Sequence, residues 1–169
     1  MEVDAAVAAA VPGSAATSYQ CVSGTVLVVE AGSIVDVLRF LRDDAAHAYD
    51  MLVDVTATDA SADHGQFHVV YQLRSLTRNV RLTVKVKVPV GDPVVPSATS
   101  LWASANWAER EVWDMFGVRF DQHPDLRRIL MYEEFEGHPL RKDYPVDRRQ
   151  PLVEERDPIA RPWPSRDGL

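Results

Sequence analysis

QFHVVYQLRSLTRNVRLTVKVKV, Gln66 to Val88, alternates apolar and polar residues through two runs joined by a short polar connection. In the first run Phe67, Val69, Tyr71 and Leu73 share one face and His68, Gln72 and Arg74 the other. In the second, Val80, Leu82, Val84, Val86 and Val88 oppose Arg81, Thr83, Lys85 and Lys87. A period of two is the mark of a half-buried strand, and Ser75 to Asn79 has hairpin length. The stretch predicts an antiparallel pair with one wet face and one that helices must cover.

Upstream, Thr25 to Glu30 (TVLVVE) reads as a strand. Gly32-Ser33 reads as a turn and N-cap before a helix whose Ile34, Val37, Leu38 and Leu41 fall on one stripe. Met51 to Thr56 predicts another strand, closed by a polar loop from Asp59 to Gly65. Downstream, Pro89, Pro93 and Pro96 stop the hairpin and a helical region begins at Ser97, with Leu101, Ala105, Ala108, Val112 and Met115 as its apolar stripe. Its other sides carry Trp107, Glu109, Arg110, Glu111, Trp113 and Asp114, and Gly117 is placed to end it in a left-handed conformation. Beyond Gly117 the one candidate element is a short strand around Arg128 to Met131, followed by a proline-punctuated tail. The expected fold class is α+β. A mixed, largely antiparallel sheet is covered by two main helices in two layers, and an extended C-terminal tail follows. Residues 1–20 are expected to be a disordered lead, 21–120 the α+β domain, and 121–169 an extended partner-binding segment.

Bulk composition narrows the function classes. At 169 residues, one domain can bury a core without disulfides or metal. A net charge of −7 argues against sequence-independent nucleic-acid binding, which needs a basic face. The Ala-rich start carries Glu2 and Asp4 where a signal peptide needs positive charge, and Pro12-Gly13 breaks its apolar run. The single Cys21 can form no intrachain disulfide and cannot by itself hold an iron–sulfur cluster or structural zinc, which fits a reducing compartment.

The richest chemistry lies in Glu109 to Tyr144, dense in charge, aromatic rings and two His-Pro steps. Trp, Tyr, Phe and Arg at this density mark an interface. His123 and His138 each precede a proline (Pro124, Pro139), which favours extended backbone. Neither belongs to a two-histidine metal pattern, and both are expected to make interface hydrogen bonds. Glu109, Glu111, Asp114 and His123 admit an acid/base reading, since clustered carboxylates shift one another's pKa. A salt-bridge network is the stronger reading, with Arg110 four residues from Asp114 and Arg119, Arg127 and Arg128 nearby. Arg127, Arg128, Arg141, Lys142, Arg148 and Arg149 are interleaved with Asp125, Glu133, Glu134, Glu136, Asp143 and Asp147, a mixed field that suits a partner-specific register over a generic anion site. No P-loop or dinucleotide fingerprint is present.

At EREVWDMFGVRFDQHPDLRRIL, Glu109 to Leu130, followed by GHPLRKDYP, Gly137 to Pro145, the chain resembles the C-type family of hydrophilic-arm subunits of respiratory complex I, NADH:quinone oxidoreductase. The resemblance extends over roughly residues 25 to 150. It implies a compact α+β domain with an extended C-terminal segment, on the cytoplasmic side of the bacterial inner membrane, packed against the D subunit near the quinone site. Subunits of the B and I types are further implied neighbours. No cofactor is implied on this chain; FMN and iron–sulfur clusters are implied in partner subunits. Glu109, Arg110, Glu111, Asp114, His123, Pro124, Arg127 and Arg128 would be structural and interfacial, with His138, Pro139, Arg141, Lys142, Asp143 and Tyr144 laid along the partner. The equivalent subunit of a membrane-bound nickel–iron hydrogenase or related dehydrogenase is the alternative that the same motif allows.

Overall fold

The computed structural model describes residues 3–22 and 24–153. The elements run in the order α1 (Val3–Ala10), β1 (Thr17–Cys21), β2 (Gly24–Val29), a 3-10 turn (Ala31–Ser33), α2 (Ile34–Asp43), β3 (Met51–Ala60), α3 (Ser61–His64), β4 (Gln66–Ser75), β5 (Val80–Pro89), β6 (Val94–Pro96), α4 (Ala105–Phe116) and β7 (Arg119–Asp121). Five strands form a sheet in the order β1-β2-β5-β4-β3, while β6 and β7 pair separately. All neighbours in the large sheet are antiparallel except β2 and β5. This is the expected α+β class, with a mixed, largely antiparallel sheet.

The β4–β5 hairpin forms as its alternation requires, pairing Phe67 with Val88, Val69 with Val86, Tyr71 with Val84 and Leu73 with Leu82. These eight side chains are all nearly or fully buried, and one continuous core joins them to Ile34, Val37, Leu38 and Leu41 of α2 and to Val112, Met115 and Phe116 of α4. Helices thus cover one face of the sheet and leave the other open.

Three expectations need correction here: the helical region expected from Ser97 begins only at Ala105, and two others lie nearer the start of the chain. The start of the chain is not a disordered lead: residues 3–10 form α1, Val7 is fully buried, and Thr17–Cys21 adds an edge strand to β2. An Ala-rich run has high helix propensity; given one apolar side chain to bury, it docks. Asp4 accepts from Ser18 Oγ at 2.8 Å, and the Pro12-Gly13 break, with Gly13 at φ +87°, turns the chain toward β1. Likewise Ser33 makes no side-chain cap bond, because the 3-10 turn runs directly into α2.

Tyr71 sits at the centre of the core, fully buried, with its Oη lacking a hydrogen-bond partner. Burial first and the Glu109 carboxylate second push its phenol well above the ordinary value. A buried hydroxyl with no partner costs free energy that a ring without it avoids. Tyr71→Phe is therefore expected to leave stability unchanged or raise it by about 1 kcal/mol in urea unfolding; a loss of that size would show that the hydroxyl is satisfied in solution.

Candidate functional site

Helix α4 is amphipathic in an unusual sense, because its buried residues include Glu109, Arg110 and Asp114 beside Val112, Met115 and Phe116. Arg110 and Asp114 stand one turn apart on the same side of the helix, yet they do not pair. Arg110 donates from Nε to the Arg127 carbonyl and from Nη2 to the Arg128 carbonyl, both at 3.1 Å, with its guanidinium 5.0 Å from the Trp107 ring centre. Asp114 Oδ2 accepts from the backbone N–H groups of Ile129, Leu130 and Met131 at 3.1, 2.8 and 2.9 Å. Its Oδ1 accepts from Arg128 Nη1 at 2.6 Å. Burial pushes the Asp114 carboxyl up, but these donors outweigh it and hold the group below its ordinary value.

Arg128 completes the knot. Its Nη2 donates to the Phe135 and Gly137 carbonyls at 2.8 and 2.9 Å, and its guanidinium lies over Trp113 and Phe135. No strand forms around Arg128 to Met131, contrary to the sequence expectation. The amides that would have made a ladder point into one carboxylate instead.

The far end of α4 is closed by the same segment. Gly117 adopts φ +76° and its N–H reaches the Trp113 carbonyl; His138 Nδ1 contacts the Asp114 carbonyl at 3.0 Å, and the Leu140 N–H donates to the Met115 carbonyl at 3.0 Å. Three carbonyls that a helix end leaves open are thereby satisfied. A Cβ at Gly117 would lie 2.6 Å from the His138 ring, so glycine is required here by contact as well as by φ. Beyond His138, the Lys142 N–H donates to Asp59 Oδ2 at 2.7 Å and Arg141, paired with Asp143, lies over Phe67. Tyr144 stacks on Phe135 at 5.9 Å.

Glu109 faces the other way. Both its side chain and that of His123 are fully buried. Its oxygens accept from Ser97 Oγ at 2.6 Å and the Ala98 N–H at 2.7 Å, pinning the chain just after β6 to α4. Burial dominates these two bonds and raises the carboxyl to about 7. His123 lies 4.0 Å from it but directs Nε2 to the Asn106 carbonyl at 3.1 Å, while Nδ1 receives the Asp125 N–H at 3.0 Å. That pattern assigns a neutral imidazole with its proton on Nε2.

The chain matches, over residues 27–150, the family described as "Respiratory-chain NADH dehydrogenase, 30 Kd subunit". It belongs to that family. The C-type subunit of the NADH-quinone oxidoreductase of Trichlorobacter lovleyi is 52% identical over 124 residues, covering 72% of this chain and 74% of that protein. Its counterpart in Paramagnetospirillum magneticum is 52% identical over 120 residues, but there the match spans 60% of the relative's length. A solved trypsin-resistant fragment of Nqo5 superposes with a TM-score of 0.60 at 29% identity, covering 74% of this chain and all of the fragment. A chain of the membrane-bound sulfane sulfur reductase, an archaeal respiratory membrane complex, shares the fold, with a TM-score of 0.71 at 22% identity over 84% of this chain and 83% of its own.

In this member of the 30 Kd family the residues expected to meet a partner divide sharply. Glu109 and Asp114 have no exposed surface and Arg110 has 7%, so the chain itself consumes all three. His123, Arg128 and His138 join them around α4. The side chains of Glu111, Pro124 and Arg127 are exposed and take no part in that cluster; Arg127 enters it through its carbonyl alone, its side chain pairing locally with Asp125 at 3.0 Å. Pro139 is half-buried, and Arg141, Lys142, Asp143 and Tyr144 lie along the domain rather than away from it. Of the part described, up to Val153, the stretch from Arg127 to Tyr144 folds back as a rim on its own domain and Gln150 bonds back to Glu136 and Tyr144, while Val146 and Leu152 are fully exposed. The remainder of the segment lies outside the described residues. The acid/base reading fails on geometry: Glu111 is apart from the others, Asp114 is saturated by donors, and Glu109 is closed to solvent. Ser97, Asp59 and Phe135 complete the site and belonged to no sequence motif, because their roles there come from contacts with Glu109, with Lys142, and with Arg128 and Tyr144 that only the folded chain makes.

Asp114→Asn keeps the shape but turns an amide N–H2 toward donors and leaves Arg128 without its anion. It is expected to cost about 3 kcal/mol in urea unfolding at neutral pH and to speed amide exchange at Ile129, Leu130 and Met131. Unchanged protection there would contradict the assigned role. Glu109 makes a second forecast. Because the folded chain holds this proton more tightly than the unfolded chain, its contribution is complete below the ordinary value of 4.5 and falls as pH rises through about 7. Glu109→Gln, which mimics the protonated form, should abolish this decline of roughly 3 kcal/mol. Unfolding series from pH 5 to 8 on both proteins would measure the difference. Asp114 has the opposite sign, its contribution being lost only as pH falls through its lowered value.

Proposed function

We propose that this chain is a non-catalytic assembly subunit in the hydrophilic arm of a proton-translocating NADH:quinone oxidoreductase, packing against the D-type subunit near the quinone site. B- and I-type subunits are further neighbours in this reading. The observation that carries it is the way α4 grips the segment after Arg127 through main-chain groups, leaving side chains free. Leu130, Tyr132 and Leu140 remain 57%, 43% and 55% exposed on backbone that Asp114 and the helix end have already fixed. Apolar anchors on pre-ordered backbone suit association, because little conformational entropy is left to lose. A groove of about 650 Å³ between Met131, Tyr132, Leu152 and Val153 adjoins them.

In this reading electrons pass through FMN and iron–sulfur clusters held by neighbouring subunits, while this chain fixes the neighbours' relative positions. Its place is peripheral, on the cytoplasmic side of the membrane; among the described residues no helix is long and apolar enough to cross a bilayer. The fold shared with a sulfane sulfur reductase keeps a related membrane-bound oxidoreductase as the second reading. Co-purification of the tagged chain from detergent-solubilised membranes separates the two, because a flavin-carrying NADH-binding partner accompanies it only in the first.

Leu130→Asp with Leu140→Asp is expected to lower recovery of the D-type subunit about tenfold or more, with NADH:quinone activity of the membranes falling in parallel and thermal unfolding of the chain unchanged. Full recovery of the D-type subunit would count against this surface as the interface.

A further inference from the structure

The charge on the open face of the five-stranded sheet is predominantly positive. Register places Arg74 directly opposite Arg81 and His68 directly opposite Lys87 on β4 and β5, with Lys85 opposite Val70 between them. Like charges in directly opposed cross-strand positions destabilise a sheet, so the Arg74–Arg81 pair is a local cost. The strands place one carboxylate at an outward position, Asp54, which lies opposite Gln72. Among the described residues, none of Arg74, Arg81, Lys85 and Lys87 makes an ion pair. Lys85 Nζ donates to the neutral Tyr19 Oη at 3.1 Å instead. His68 Nε2 and Arg74 Nε are buried without a hydrogen-bond partner. Burial first, then Lys85, Lys87 and His64, hold the His68 imidazole below its ordinary value. All this occurs in a chain whose net charge is −7, where carboxylates to break up the cluster are plentiful.

We propose that this face docks an acidic, extended polypeptide segment of a neighbouring chain. Charge complementarity selects the sign, since such a segment would neutralise cations that the domain itself leaves unpaired. Shape selects the class. The cations run along one strand from Arg81 to Lys87, a span of about 20 Å, and Lys85 and Lys87 repeat at every second residue, the spacing at which an extended chain presents carboxylates on one side. A twisted sheet offers a plane of lipid headgroups only part of such a column. The net negative charge opposes nucleic acid. This face lies across the sheet from α4, so the contact is independent of the interface proposed for Leu130 and Leu140.

A fluorescent peptide of alternating Glu and Thr, titrated into the full chain at low salt, tests the sign. It is expected to bind, to weaken about tenfold or more for the double variant Lys85→Glu with Lys87→Glu, and to bind normally to Lys85→Arg with Lys87→Arg, to Arg39→Glu on the remote α2 surface, and to Leu130→Asp with Leu140→Asp. A photoreactive benzophenone side chain at position 87 of the assembled complex tests the partner. The expected product is a crosslink to a neighbouring subunit within a stretch carrying Asp or Glu at alternate positions. Three results would overturn the proposal: peptide binding indifferent to charge reversal, binding confined to phosphatidylglycerol vesicles, or crosslinks that reach only lipid, an uncharged stretch or nothing.

Discussion

Asp114 is a buried carboxylate surrounded by four donors, and the placement of the chain from Arg127 to Gly137 depends on it. A charge this deeply buried is tolerated only when hydrogen bonds replace the water it has lost. Three of its partners are consecutive backbone amides, so the group that stabilises the charge also dictates a tight local path for the main chain. Arg128 then carries the constraint outward, because the guanidinium that neutralises Asp114 also binds the carbonyls of Phe135 and Gly137. One ion pair thereby organises a segment that contains no regular secondary structure of its own.

The grip is reciprocal. Helix α4 holds the segment with Arg110 on its carbonyls and Asp114 on its amides, and the segment holds the helix by supplying His138 and Leu140 to the open carbonyls of the last turn. Removing either element would leave buried polar groups of the other unsatisfied, which is costly. This mutual dependence explains why charged side chains occupy the inside of a helix whose stripe had room for apolar ones. It also leaves Leu130 and Leu140 exposed, with Tyr132 half-exposed beside Phe135, so that a surface of anchors stands on fixed backbone.

The domain is electrostatically two-sided. On the helix side charges are buried and compensated within the chain, Asp114 by donors and Glu109 by holding its proton more tightly. On the open sheet side Arg74, Arg81, Lys85 and Lys87 face outward without anions. A member of a multi-protein assembly with one self-satisfied face and one unsatisfied face has directional information in its charge alone.

Much of the domain was legible from local pattern. The β4–β5 hairpin, the α2 stripe and the left-handed stop at Gly117 each follow from a short-range rule, period two, period 3.6 or a positive φ, and each formed where expected. The motif from Glu109 to Pro145 identified the family without showing what its residues touch. The errors came where long-range contact overrode local signal. An Ala-rich start docked through Val7, a would-be strand at Arg128 to Met131 surrendered its amides to Asp114, and three charged residues expected at a partner's surface turned inward. Sequence by itself determined the β4–β5 hairpin, α2, the stop of α4 at Gly117 and the family, because periodicity and capping act within a few residues. Tertiary structure alone decided which charges are buried and which stay outside, because a carboxylate's environment is set by donors 15 to 17 residues away that only the folded chain brings within 3.1 Å.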